Sequence, residues 1–158
     1  MHDNEKLIHT FYEAFAKRDH ETMASCYHDD VRFSDPVFPD LKGPEAGAMW
    51  RMLCERGTDL VVTHSQVSAD DGAGSAHWDA DYTFSATGRM VHNSIDARFR
   101  FRDGKIIEHT DTFDLWKWSR MALGMPGILL GWSPIVRNKV RGQAGGQLKK
   151  FMQKHDIA

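Results

Sequence analysis

The sequence predicts an α+β protein in which helices come first and an antiparallel meander follows. Three observations predict this. Apolar residues recur at three- and four-residue spacing up to about residue 55, the period changes to two from Asp59 onward, and the later segments are separated by short turn sequences. A chain of 158 residues suits one domain. With 41% apolar and 27% charged residues its composition is that of an ordinary globular protein. A domain of this length buries roughly 68–70% of its unfolded surface, enough for a core that holds a pocket.

The elements follow in order. Leu7, Ile8, Phe11, Tyr12 and Phe15 form an amphipathic stripe, so the first segment is a helix. Asp19 caps a second, short helix running to about Tyr27, with Thr22, Met23 and Cys26 at helical steps. His28-Asp29-Asp30 is expected to turn, and Val31-Arg32-Phe33-Ser34 alternates as a short strand. Asp35-Pro36-Val37-Phe38-Pro39 must leave regular structure, because proline restricts the residue before it to extended conformations. Gly43-Pro44-Glu45 opens a third helix to about Glu55, with Met49, Trp50 and Leu53 on one side. Four strands follow, at about 59–69, 75–87, 90–102 and 105–116. They are punctuated by Asp70-Asp71-Gly72, Thr87-Gly88-Arg89 and Arg102-Asp103-Gly104. Gly124-Met125-Pro126-Gly127 and Gly131-Trp132-Ser133-Pro134 are breaks. Ser133 with Pro134 starts a basic helix from about 134 to 154, which Gly142, Gly145 and Gly146 weaken.

Charge divides the chain. Residues 1–116 carry 12 Lys/Arg against 21 Asp/Glu, net −9, whereas residues 117–158 carry 8 against 1, net +7. This suggests an acidic body (1–116) with a basic helical extension (117–158) packed on the same domain, since 42 residues are too few for a core of their own. The overall charge of −2 excludes a whole-chain basic footprint, so no nucleic-acid partner is expected. Cys26 and Cys54 form no CxxC pattern and are expected to be buried free thiols in a reducing cytoplasm. The first fifteen residues hold no continuous apolar run and are not expected to be a secretory signal. No apolar stretch of about 18 residues predicts a spanning helix.

Two motifs carry a family resemblance. Tyr27-His28-Asp29-Asp30-Val31-Arg32-Phe33-Ser34-Asp35-Pro36, with Gly43 then opening a helix, resembles the front half of the nuclear transport factor 2-like superfamily in its SnoaL-like and ketosteroid isomerase-like branch. Phe99-Arg100-Phe101-Arg102-Asp103-Gly104-Lys105-Ile106-Ile107-Glu108-His109 resembles the final hairpin of SnoaL-like proteins. The resemblance spans about residues 3–116. It implies a cone-shaped barrel, a curved antiparallel sheet wrapped around the N-terminal helices, with an apolar pocket inside. It also implies a homodimer. The superfamily includes isomerases, cyclases, hydrolases, dehydratases and proteins without catalysis, so the fold alone does not select an activity.

The resemblance assigns Asp35 the place of the general base of ketosteroid isomerase-like sequences. A carboxylate beside apolar walls has its pKa raised, which suits proton transfer near neutrality; the alternative is an Asx turn bonded to nearby amides. That isomerase stabilises its dienolate with a tyrosine and a protonated aspartate. Here the matching positions hold Phe11 and Ala97, and Tyr12 lies about 100° around the helix. Asp96 takes the aspartate's place only if a one-residue bulge separates it from Phe99. Steroid isomerisation is therefore not expected.

His109 and Asp111 lie two apart on the last strand, so both face one side together with Ile107 and Phe113. By resemblance that is the pocket side, and the pair occupies positions suited to acid/base work; a structural pair that satisfies itself is the alternative. His77, Asp79 and Asp81, like His92, Ser94 and Asp96, read as a solvated or dimer face. No third ligand accompanies His109 and Asp111, so no metal is expected, and no cofactor motif is present. Tyr27, Trp50, Tyr82, Phe84, Phe99, Phe101 and Phe113 are expected on the inner faces, as core or as ligand contacts. A pocket lined by them suits a small, flat, apolar ligand with a few oxygens. Trp116, Trp118, Met121, Leu123, Met125, Ile128, Leu129, Leu130 and Trp132 form an apolar cluster that serves as a lid over the cone mouth or as a subunit contact. The basic helix after it is expected to lie over the acidic body rather than on a membrane. The expectation is a cofactor-free acid/base enzyme of isomerase, cyclase or dehydratase type, with a non-catalytic ligand-binding or dimerisation module as the alternative.

Overall fold

Helix-forming stripes and caps set the first third of the molecule, seen in a computed structural model that describes residues 1–124 and 133–157. Helix α1 (Asp3–Ala16) buries Ile8, Phe11, Tyr12, Ala14 and Phe15. Helix α2 (His20–Ser25) is capped by Asp19, whose carboxylate accepts the Thr22 amide at 3.2 Å. Helix α3 (Pro44–Arg56) begins with proline in its first turn. Gly43 before it has φ +54°, and a Cβ there would lie 3.1 Å from the Asp29 carbonyl oxygen, so glycine is required on two counts. Met49 and Trp50 are buried, but Leu53 is exposed: α3 turns its inner face through Ala46, Met49, Trp50 and Met52 instead.

Strands β1 (Tyr27–Ser34), β2 (Leu41–Lys42), β3 (Val61–Ala69), β4 (Ala73–Phe84), β5 (Arg89–Arg102) and β6 (Lys105–Thr112) form one curved, unclosed sheet in the order β2-β1-β6-β5-β4-β3. All neighbours are antiparallel except β1 and β6, which run parallel. The α+β architecture with its curved sheet is thus the one expected. The expected turn at His28-Asp29-Asp30 is instead part of β1. Between the pairs Tyr27↔Ile106 and Arg32↔Glu108, five steps along β1 span two along β6. The polar triplet is accommodated as a bulge, which pairing with the sheet makes more favourable than a free turn.

Two further corrections concern the last strand. Between Arg100↔Glu108 and Phe101↔Ile106 the register slips, leaving Ile107 as the extra residue. Ile106 therefore points into the core, fully buried, and Ile107 does not share the face of His109 and Asp111. The strand also ends at Thr112 rather than near 116. Asp114 accepts the Lys117 amide at 3.0 Å and starts helix α4 (Leu115–Leu123), so a capping signal overrides the alternation.

Helix α4 packs on β5, with Trp118 and Leu115 against Val91, Tyr82, Phe84 and Phe113. This part of the apolar cluster packs on the sheet within the chain; Met125, Ile128, Leu129, Leu130 and Trp132 lie outside the described residues. Ser133 caps helix α5 (Pro134–Lys154) by accepting the Ile135 amide at 3.2 Å. The helix docks on α3 through Leu148 and Phe151, a burial that contributes roughly 1.5–3 kcal/mol for each side chain. The Arg51 and Arg56 guanidinium carbons stand 5.8 and 5.7 Å from the Phe151 ring centre. No helix among the described residues is long and apolar enough to cross a membrane.

Candidate active site

The register of three strands sets polar and aromatic residues in rows on the concave face. Phe33, His109 and Phe99 form one row; Asp111, Ala97 and Ala76 form the next. Asp35 follows Ser34 directly beyond the end of β1, one step on from the Ser34↔Thr110 pair, which brings it to the level of Asp111. The parallel pairing of β1 and β6 is what unites these two carboxylates.

His109 is fully buried and Asp111 is 3% exposed. They belong to one chain of hydrogen bonds. The Trp50 indole donates to the Tyr27 hydroxyl at 2.7 Å, that hydroxyl meets His109 Nδ1 at 2.8 Å, and His109 Nε2 meets Asp111 Oδ1 at 2.9 Å. The Trp78 indole reaches the same carboxylate oxygen at 3.4 Å. An indole N–H can only donate, so the Tyr27 oxygen accepts from Trp50; the Asp111 carboxylate can only accept, so in a neutral His109 the proton sits on Nε2 and Nδ1 accepts the Tyr27 hydroxyl. The tautomer of His109 is thereby assigned from its partners. Burial pushes the Tyr27 phenol well above its ordinary pKa and keeps it protonated.

Around His109 the cone is filled with rings. Phe99, Phe33, Phe11, Trp50 and Tyr27 have centroids 4.5–6.0 Å from the imidazole. Phe101 is buried beside Phe99. Tyr27, Trp50, Phe99 and Phe101 thus sit in the packed interior, whereas Tyr82, Phe84 and Phe113 are half-buried near α4. Two surface clefts of about 350 and 280 Å³ flank Gly43 and Pro44, and neither is lined by Asp35, His109 or Asp111. In this conformation His109 and Asp111 contact protein groups, and Asp35 alone of the three reaches the half-exposed rim.

Asp35 forms the Asx-type turn of its local motif and leaves one oxygen free among the described residues. Its Oδ1 accepts the Val37 and Phe38 amides at 2.7 and 2.6 Å, an Asx-type turn produced by the proline bend. Its Oδ2 has no hydrogen-bond partner among the described residues. Burial raises its pKa to about 7; Asp111 pushes the same way, while the two amides and Arg141 pull against it.

The sequence did not single out Tyr12 and Trp78 as site residues. Tyr12 is fully buried, stacked 5.4 Å from His64, and its hydroxyl has no hydrogen-bond partner among the described residues. Burial and the nearby Asp111 charge raise its pKa well above the ordinary value. Its hydroxyl nonetheless faces the interior, because α1 lies within the cone and buries both Phe11 and Tyr12. Asp96 does not replace the missing oxyanion aspartate. The β4–β5 register runs without a bulge from Gly74↔Phe99 to Phe84↔Arg89, so Ala97 faces in and Asp96 faces out, 2.9 Å from His77. His77, Asp79, Asp81, His92 and Ser94 share that outer face in a ladder of hydrogen bonds. No three His, Cys, Asp or Glu side chains among the described residues converge on a metal position.

Residues 8–109 match the SnoaL-like domain, and the chain belongs to that family. Nothing matches among curated proteins. Solved structures with the same fold include an NTF2-like protein of unknown function from Burkholderia pseudomallei, at 18% identity over 77% of this chain and 98% of that one, with a TM-score of 0.66. An LEH-like epoxide hydrolase of M. tuberculosis shares 19% identity over 85% and 95%, with a TM-score of 0.62. A protein from Xanthomonas campestris pv. campestris assigned as a polyketide cyclase shares 21% over 75% and 96%, with a TM-score of 0.63. At these identities the likeness is one of fold, and α5 lies beyond the matched family segment.

Proposed function

We propose that the protein is a cofactor-free acid/base enzyme acting on an apolar, oxygenated ring compound of polyketide, terpenoid or steroid-like kind. The chemistry is removal or return of a proton at a carbon beside a carbonyl, as in isomerisation, aldol-type cyclisation or dehydration. The observation that carries this reading is Asp35. One carboxylate oxygen is pinned by two amides and the other is unpartnered, at a rim bordered by the aromatic residues that pack beneath α4. Pinning orients the carboxylate, and the second oxygen is available to take the proton. A pKa of about 7 lets the group accept and return protons near neutrality.

His109 and Asp111 act behind it. Both are buried and bonded to protein, so their part is to place a fixed negative charge beside Asp35 and keep its proton affinity high. The test uses 2-tetralone in D₂O, with exchange of its α-hydrogens followed by proton NMR. Wild type accelerates exchange, and Asp35→Asn lowers that acceleration by about 100-fold or more. Equal rates for the two proteins remove Asp35 from the mechanism.

A second reading has its own support in the ring packing around His109, which fills the cone where a pocket was expected. A non-catalytic ligand-binding or dimerisation module gives saturable thermal stabilisation by such ring compounds in both proteins, without exchange. A cytoplasmic homodimer is part of the same proposal, with mass from light scattering as its check.

A further inference from the structure

Helix α5 has six basic residues: Arg137, Lys139, Arg141, Lys149, Lys150 and Lys154. Five are exposed; Arg141 alone is turned inward and half-buried. The apolar stripe Val140, Ala144, Leu148 and Met152 causes this, because its four-residue spacing presents one face of α5 to the body. Val140 meets the cluster around Trp118, and Arg141, the next residue, meets the loop after β1.

There the guanidinium Nε donates to the Pro36 carbonyl at 2.8 Å. The two terminal NH₂ groups have no hydrogen-bond partner among the described residues, and no ion pair within 4.0 Å is formed with Asp35. The cation is thus half-buried and oriented by a backbone bond; its charge is felt by Asp35, but no ion pair within 4.0 Å closes on it among the described residues. A half-buried guanidinium held in place with its terminal N–H groups unpartnered can complete its bonding with an anion, and its planar fork matches a carboxylate in two-point geometry. The rest of the rim is apolar or aromatic: Val37, Tyr82, Phe113 and Trp118. The Tyr82 hydroxyl is already used, accepting the Trp118 indole at 2.7 Å. The carboxylates of Asp35 and Asp111 repel an anion from this end of the cone, so only a cation at the rim lets a negatively charged ligand approach.

We infer that Arg141 is a specificity-determining residue that binds a carboxylate on the substrate, so the preferred substrates are ring compounds carrying a carboxylate group. The inference rests on the rim of the proposed site being where a ligand binds. It gives the basic extension a role in recognition: the acidic body holds the base, and the segment after it brings the counter-charge.

The test compares 2-naphthoate with 2-naphthamide, which have similar shape and differ in charge, by titration calorimetry on the full chain. Wild type binds naphthoate at least about tenfold more tightly than naphthamide, and this preference declines as salt is raised. Arg141→Gln loses about tenfold for naphthoate and less than twofold for naphthamide. Arg141→Lys, which keeps the charge but not the fork, recovers part of the preference. Equal affinities of wild type for the two probes, or a preference unmoved by salt, overturn the inference while leaving a pocket at the rim; the salt series needs no folded variant. An equal loss of both probes in Arg141→Gln also overturns it and makes Arg141 a tie to Pro36 only. Failure of both probes to bind wild type at millimolar concentration overturns the inference together with the reading of the rim as a ligand site.

Discussion

The closed end of the cone and its rim use the same residue types to opposite ends. At the closed end, Trp50, Tyr27, His109, Asp111 and Trp78 join their polar atoms into one chain and wrap it in rings. At the rim, Asp35 commits one carboxylate oxygen to two backbone amides and Arg141 commits its Nε to one backbone carbonyl, and both keep the remainder of their bonding capacity. Buried polar groups are tolerable when every partner is supplied. A group that is held in place yet incompletely partnered has capacity left for a ligand. The contrast therefore separates positions that maintain the fold from positions able to do chemistry.

The largest expected effect breaks the closed end. Asp111→Ala leaves His109 Nε2 and the Trp78 indole without an acceptor and costs about 3–5 kcal/mol, measured by urea unfolding. A loss below 1 kcal/mol would mean that the chain of bonds does not hold the closed end together. Tyr27→Phe is next. It strands the Trp50 indole and His109 Nδ1, and about 1–3 kcal/mol is expected in the same assay.

The smallest effect belongs to the rim and depends on pH. Asp35 has a folded pKa of about 7 against an ordinary 3.8. Between those values the folded state binds more protons than the unfolded one, so this group's contribution to stability falls as pH rises from about 4 to about 7 and is flat above. Asp35→Asn keeps an oxygen for the Val37 and Phe38 amides and removes the titration. Its stability relative to wild type is near zero change at pH 4 and rises to a gain on the order of 1–2 kcal/mol by pH 8, after allowance for the solvent that reaches this half-buried group. A difference that does not vary with pH would place the Asp35 titration outside this range. Mutations at the closed end thus lose stability, while this one at the rim gains stability and loses activity, as expected where a site is strained for function.

Much of this contrast was visible in the chain itself. Leu7 to Phe15, the Asp19 cap, the Asp35-Pro36 bend, the Gly43-Pro44 helix start and the three turn sequences between the strands each act over a few residues, and each forms as expected. Alternation identified His109 and Asp111 as polar residues on an inner face. Where the reading failed, distant partners decided. The bulges at His28–Asp30 and Ile107 exist because β1 and β5 must both pair with β6. The turn into α4 was signalled by Asp114 three residues before Lys117, a capping pattern hidden under an apparently continuing alternation. Arg141 carried a faint signal too, beside the four-residue spacing from Val140 to Met152, but the glycines and exposed lysines of that helix masked it.

By itself the sequence determined the order of most helices and strands, the helix starts at Asp19, Gly43-Pro44 and Ser133-Pro134, and the inward side of His109 and Asp111, because caps, turns and periodicity are set by neighbours along the chain. Only the tertiary structure decided that His109 and Asp111 are sealed behind rings while Asp35 stands at the rim, and that one arginine of a basic helix turns toward it. Those outcomes depend on strand register and on the docking of α5, which arise from contacts between residues far apart in the chain.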